Sequence, residues 1–217
     1  MLYWLGGLIE NSWGPFRLLT SHFFLGGLGF VACGLLTWRL LPSLTARYCP
    51  RDRGRAHAVE AKNARGKPTG AGIVFIPMFL AVQLFVLPLN WEILGVLALT
   101  LTACIFGFLD DKSNDAWGEY VKGAIDLVIG VCAALLIGGL GPVEIWLPFT
   151  KTQVLLDPIV SIPLAVVWIW TAINATNCTD GVDGLSGTLS SIAFLSLGAL
   201  LYFVLGHVEM SSYLLVP

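Results

Sequence analysis

Apolar and polar positions segregate along this chain into long blocks. Six apolar runs stand out: His22–Leu41, Gly72–Leu89, Ile93–Leu109, Gly123–Leu140, Pro158–Ile173 and Gly187–Leu205. Each holds 16 to 20 residues, close to the roughly 20 that a helix needs to cross a hydrocarbon core about 30 Å thick. The pattern predicts an all-α, polytopic membrane helix bundle forming one membrane domain over residues 1–217. Met1–Ser21 is mixed, aromatic and glycine-rich with a single cation, Arg17. It lacks the basic start and small-residue cleavage site of a signal peptide and reads as an amphipathic segment lying at the interface. Trp38 and Arg39 anchor the end of the first span. Pro77 and Gln83 mark the second span as kinked, with one polar interior side chain, and Trp91-Glu92 turns the chain into the third. Gly141–Asp157 carries two β-prone stretches, Val143–Trp146 and Gln153–Leu155, and reads as a small hairpin. There is no internal repeat, low-complexity tract or separate soluble domain.

Composition agrees with this pattern. The chain is 56% hydrophobic and only 12% charged, about half the charged share of a soluble domain. Cys33, Cys104 and Cys132 fall inside apolar runs, where cysteine serves as a small hydrophobe, and the five cysteines show no metal-ligand spacing. Net charge is −2, and its distribution is more informative than its size. With the amino terminus extracytoplasmic, ten of the twelve Lys and Arg face the cytoplasm, leaving Arg17 and Lys151 outside. The positive-inside rule selects that orientation. It places the basic loop Pro42–Gly70, Asp110-Asp111, Lys122 and the stretch from Asn174 to Asp183 on one face of the membrane.

Those polar clusters carry the candidate chemistry. Asn174, Asn177, Asp180 and Asp183 recur every third residue between two apolar runs. On an α-helix that row drifts by about 60° per step, whereas on an i+3 helix it lines one face. Either arrangement presents oxygen donors suited to a hard cation such as Mg2+. Gly181 and Gly184 let the backbone turn sharply there. The bland alternative is a polar turn between two helices, which requires one or two such residues rather than four in register. Asp110-Asp111 closes an apolar helix at its carboxyl end, where the helix dipole disfavours anions. A divalent cation beside the pair, or use of one carboxylate as a base, would account for the placement; a hydrated helix terminus is the alternative. Lys122 and Asp126 stand one turn apart, so the intramembrane Asp126 reads equally as functional or as the partner of an i,i+4 salt bridge. Lys67-Pro68-Thr69-Gly70-Ala71-Gly72 could cradle phosphate through its backbone N–H groups and lysine, or be a plain loop-to-helix turn. His22 and His207 lie at outer span ends, and His57 has no ligand spacing.

Three stretches carry a family resemblance: Arg65–Gly72, Phe108-Leu109-Asp110-Asp111, and Asn174–Leu185 (Asn-Ala-Thr-Asn-Cys-Thr-Asp-Gly-Val-Asp-Gly-Leu). In order and topology they resemble the polyprenyl-phosphate hexose-1-phosphate transferases. Met1-Leu2-Tyr3-Trp4-Leu5 and Thr179 point within that superfamily to the phospho-N-acetylmuramoyl-pentapeptide transferase family. The resemblance implies transfer of phospho-MurNAc-pentapeptide from UDP-MurNAc-pentapeptide to undecaprenyl phosphate. The products are lipid I and UMP, formed for peptidoglycan synthesis at the cytoplasmic face of the bacterial inner membrane, with Mg2+ required. It implies that Asn177 is a Mg2+ ligand, that Asp110 and Asp111 orient or deprotonate the lipid phosphate, and that Lys122 contacts phosphate. Asp180 and Asp183 would line the nucleoside pocket, and Lys67, Thr69 and Asn174 complete the substrate-binding set. Membrane lipid is an expected partner, a homodimer is a candidate assembly, and no nucleic acid partner is expected.

The chain also departs from the family pattern. The family usually reads Thr-Pro-Thr-Met-Gly-Gly where this sequence has Lys67-Pro68-Thr69-Gly70-Ala71-Gly72. Ala64 replaces a basic residue, Asn114 replaces a lysine with Lys112 nearby, and the loop to Lys122 is short. About six spans of the family's roughly ten are present, at about 20 residues each. The resemblance implies that the family's later acidic loop, with its metal-binding Asp, and its His-rich loop would lie beyond residue 217. The expectation is therefore that this chain alone is inactive, as a fragment or as one half of a split enzyme. The alternative within the superfamily is a UDP-GlcNAc:polyprenyl-phosphate GlcNAc-1-phosphate transferase. A transporter or channel would place its carboxylates near mid-membrane, whereas these lie at span edges.

Overall fold

The computed structural model describes residues 2–9, 18–52, 65–86, 88–113, 117–139, 141–147, 150, 152–179, 184–204 and 206. Helices α1 (Leu2–Ile9), α2 (His22–Tyr48), α3 (Gly72–Val86), α4 (Trp91–Lys112) and α5 (Glu119–Gly138) come first. The hairpin β1 (Val143–Leu147) and β2 (Thr152–Leu156) follows, and α6 (Pro158–Thr179) and α7 (Leu185–Phe203) complete the chain. Every expected span coincides with one of these helices. Five of them are long and apolar enough to cross a membrane. The exception is α3, whose 15 residues make about 22 Å at 1.5 Å per residue. The protein is a polytopic helical membrane bundle. Its large apolar side chains point outward along whole helices, and α4 buries no residue at all, as expected of helices whose solvent is lipid.

Several span ends differ from the sequence expectation by two to seven residues, most clearly at the end of α2, the start of α4 and the end of α6. Helix α2 runs seven residues beyond Leu41, through Pro42. Proline removes one ladder hydrogen bond, but the Thr45 hydroxyl donates to the Leu41 carbonyl at 2.7 Å and Ser43 to Leu40 at 3.0 Å, re-using carbonyls of the last turns. Trp91-Glu92 opens α4 rather than turning the chain, because the Asn90 side chain caps it by accepting from the Ile93 N–H at 2.8 Å. Helix α6 carries on past Ile173 to Thr179, so Asn174 and Asn177 stand on regular α-helix. The hairpin is present, paired from Val143↔Leu156 to Leu147↔Thr152.

The helices group into two units. One contains Met1–Leu89, Cys104–Ala116 and Gly187–Pro217. Its core is Leu25, Cys33, Val82 and Val86, with Leu2, Tyr3 and Leu19 packed alongside. The amino-terminal helix α1 is thus docked by one face, while Trp4 and Leu8 stay exposed. Gln83 is 2% exposed, matching its expected interior position. The second unit contains Asn90–Ala103 and Trp117–Ser186. Within it α5 and α6 pack closely at Gly130, where an added Cβ would lie 3.5 Å from the Val166 carbonyl oxygen.

Candidate active site

In the first unit the two ends of the basic loop are clasped together. Arg51 and Pro68 form an antiparallel bridge. Around it the Asp52 N–H donates to the Lys67 carbonyl at 2.8 Å, Gly66 to Asp52 at 2.9 Å, and Thr69 to Pro50 at 2.9 Å. The Arg51 guanidinium also donates to the Gly66 carbonyl at 3.1 Å. This clasp sets Gly70 against the last turn of α4. Gly70 has φ of +69°, a backbone state that side chains disfavour. An added Cβ there would lie 3.1 Å from Phe108 Cδ2 and 3.3 Å from Asp111 Oδ2. The phosphate-loop candidate and the acidic pair, distant in sequence, are therefore in contact. Asp110 is half-buried and Asp111 exposed. Beside them an apolar groove of about 630 Å³ passes between α2, α3 and the end of α4, lined by Leu44, Tyr48, Val74, Pro77, Phe108 and Lys112.

Cys49 follows α2 directly and lies underneath this contact. Its thiol is buried and donates to the Gly70 carbonyl across 3.7 Å. Burial pushes the thiol pKa up; the Arg51 charge opposes this and the Asp111 charge adds to it. The group therefore stays a protonated donor near neutral pH.

In the second unit Gly123, the neighbour of Lys122, and Asn174 are linked through one tryptophan. The Trp170 indole donates to the Gly123 carbonyl at 3.0 Å, next to Lys122. Asn174 in turn donates to the Trp170 carbonyl at 2.8 Å. Asn174 is half-buried and Asn177, nearly one turn on, is exposed. Lys122 and Asp126 stand one turn apart on α5. Asp180 and Asp183 lie outside the described residues, as do Arg53, Arg55, His57, Lys62, Asn114, Gly181 and His207. Gly184, at φ of +79°, does turn the chain into α7.

Sequence reasoning missed Cys49, Phe108 and Trp170 as parts that hold these groups. Cys49 and Trp170 are set by contacts across tens of residues and leave no spacing signal. Phe108 precedes the acidic pair by two residues and was a visible clue. Among the described residues no three His, Cys, Asp or Glu side chains converge. The first unit offers the adjacent carboxylates Asp110 and Asp111 as oxygen donors, and the second, taken by itself, the exposed amide of Asn177. Mg2+ is often held by one or two carboxylates, with waters and substrate phosphate oxygens completing its shell, so an adjacent carboxylate pair or a side-chain amide oxygen is a donor that ion accepts.

Residues 93–216 match glycosyl transferase family 4, and the chain belongs to that family. It is similar to the phospho-N-acetylmuramoyl-pentapeptide-transferase of Treponema pallidum, with 44% identity over 94% of this chain and 57% of that protein. The proteins of the same name from Wolinella succinogenes (35% identity; 70% of this chain, 46% of that one) and Campylobacter curvus (30% identity; 100% and 64%) are also similar. The chain thus spans about half to two thirds of the length of these relatives.

Proposed function

We propose that the protein transfers phospho-MurNAc-pentapeptide from UDP-MurNAc-pentapeptide to undecaprenyl phosphate, releasing UMP, on the cytoplasmic face of a bacterial membrane. The observation that supports this most directly is the seat of Gly70 against Asp111, which joins a basic, phosphate-suited loop to a carboxylate pair. A phosphoryl transfer depends mainly on positioning and on neutralising charge. In this reading Lys67 and the Thr69 hydroxyl hold substrate phosphate from the loop side. Asp111 and Asp110 orient the lipid phosphate and take up its proton. The apolar groove ending at Lys112 suits an isoprenoid chain whose phosphate would lie by the acidic pair. Lys122 contacts the diphosphate, and Asn174, Asp180 and Asp183 bind the nucleoside end. Asn177 would hold Mg2+, which supplies charge neutralisation on the diphosphate when bound.

The test is UMP release by the complete protein with undecaprenyl phosphate and Mg2+, comparing UDP-MurNAc-pentapeptide with UDP-GlcNAc. The expected result is turnover with the first and loss of it on chelation by EDTA. Preference for UDP-GlcNAc would replace this reading with the GlcNAc-1-phosphate transferase, and EDTA-resistant turnover would remove the metal.

The proposed sidedness has its own check. Cys178 is exposed at the end of α6, whereas Cys49 is buried and makes a poor probe. A membrane-impermeant maleimide should label Cys178 in inverted vesicles and not in right-side-out ones; the opposite pattern would reverse the orientation.

A further inference from the structure

We propose that Cys49 and Gly70 are positioning residues of this site, forming a latch that holds the phosphate-loop backbone against the Asp111 carboxylate. The inference rests on the transferase reading above and adds to it the part that sets Asp111 in place. Three observations converge. Gly70 has no side chain where any Cβ would press on both Phe108 and Asp111. Its backbone adopts a positive φ. Its carbonyl is taken by a buried thiol from the end of a different helix, and that thiol is close enough to feel the Asp111 charge.

Physically, the latch ties three elements at one point: the end of α2, the loop before α3 and the last turn of α4. A carboxylate on an exposed final helix turn has several rotamers open to it. Backbone packed against one side of it, with the backbone itself pinned by the thiol, removes some of them. Misplacement of a reacting group by about 1 Å can cost roughly 10²-fold in rate, which sets the scale of the effect.

The experiment uses the complete protein in membranes and reads two quantities. The first is turnover and KM for the UDP-linked substrate. Gly70→Ala should lower turnover by about 10²-fold with little change in KM. Cys49→Val, which keeps bulk but loses the donor, should lower it by about tenfold, the order of one hydrogen bond. Cys49→Ser should retain more turnover than Cys49→Val, because a hydroxyl still donates. Wild-type turnover in both Gly70→Ala and Cys49→Val would overturn the proposal, and so would equal losses in Cys49→Ser and Cys49→Val.

The second quantity needs no activity: the rate at which N-ethylmaleimide alkylates Cys49, with Cys178 as the exposed reference. Cys49 should react slowly in the wild type and faster in Asp111→Ala and Gly70→Ala, since either change opens the latch. A Cys49 rate equal to that of Cys178, or one unmoved by Asp111→Ala, would overturn the latch even if a variant folds too poorly for kinetics. If wild-type protein shows no UMP release but the alkylation pattern holds, the transferase reading fails and the latch stands.

Discussion

Asp111→Asn should lower turnover by about 10²- to 10⁴-fold, the range supplied by a positioned acid or base, while leaving the protein as stable as before or slightly more so. Asparagine keeps the shape of the side chain, so its fit against Gly70 and Phe108 survives. What disappears is one negative charge on the last turn of α4. An anion at a helix carboxyl end is unfavourable by about 0.3–1 kcal/mol, and its neighbour Asp110 adds like-charge repulsion. Both of these costs fall when the charge is removed, so the larger loss is expected in the chemistry. A solvated helix terminus predicts the reverse balance: a small gain in stability and no kinetic cost. The measurement is UMP release at saturating Mg2+ and lipid, paired with a melting curve in detergent. Turnover within threefold of wild type would strike Asp111 from the site. Asn177→Ala should behave similarly but be partly recovered by raised Mg2+. Asn177 is exposed, so its stability cost should stay within about 0.5 kcal/mol.

The same pairing of a function with a structural cost explains what could be read without coordinates. Helix existence was legible because lipid imposes apolar composition along a whole span, and six apolar runs became α2 to α7. Helix ends were not, because they are decided by single side chains: hydroxyls beyond Pro42 that return to carbonyls, an Asn90 that caps, and an α6 that tolerates Asn174 and Asn177 within its last turns. The acidic and amide candidates were legible for a related reason. Carboxylates and amides at the edges of apolar runs are costly unless they serve something. Their supports were not legible. The Trp170 indole meets a carbonyl 47 residues away, and Gly70 is set against Asp111 by a clasp whose acceptors are all backbone carbonyls. Neither contact leaves a pattern in residue spacing.

The second large effect is structural and concerns Gly130. This glycine is buried where α5 crosses α6. A Cβ built there would lie 3.5 Å from the Val166 carbonyl oxygen and 3.8 Å from both Ile169 Cγ2 and the Trp170 nitrogen. Those are ordinary contact distances, so a single methyl fits and nothing larger does. Gly130→Ala should therefore be neutral or stabilising, since glycine within a helix costs up to about 1 kcal/mol relative to alanine. Gly130→Leu adds three more carbons against the α6 backbone and should destabilise by about 1–3 kcal/mol, the usual cost of overpacking. Membrane helices have little hydrophobic force to hold them together and depend on such close backbone approach, so the helices should separate rather than absorb the strain. Gly123 is seven residues, about two turns, before Gly130. Its carbonyl would then lose the indole of Trp170, whose own carbonyl holds Asn174. Gly130→Leu should thus lower the melting temperature and turnover together, with a shift in tryptophan fluorescence, although it touches no substrate. Asp111→Asn should lower turnover alone. A leucine variant that melts with the wild type would show that α5 and α6 do not meet at Gly130.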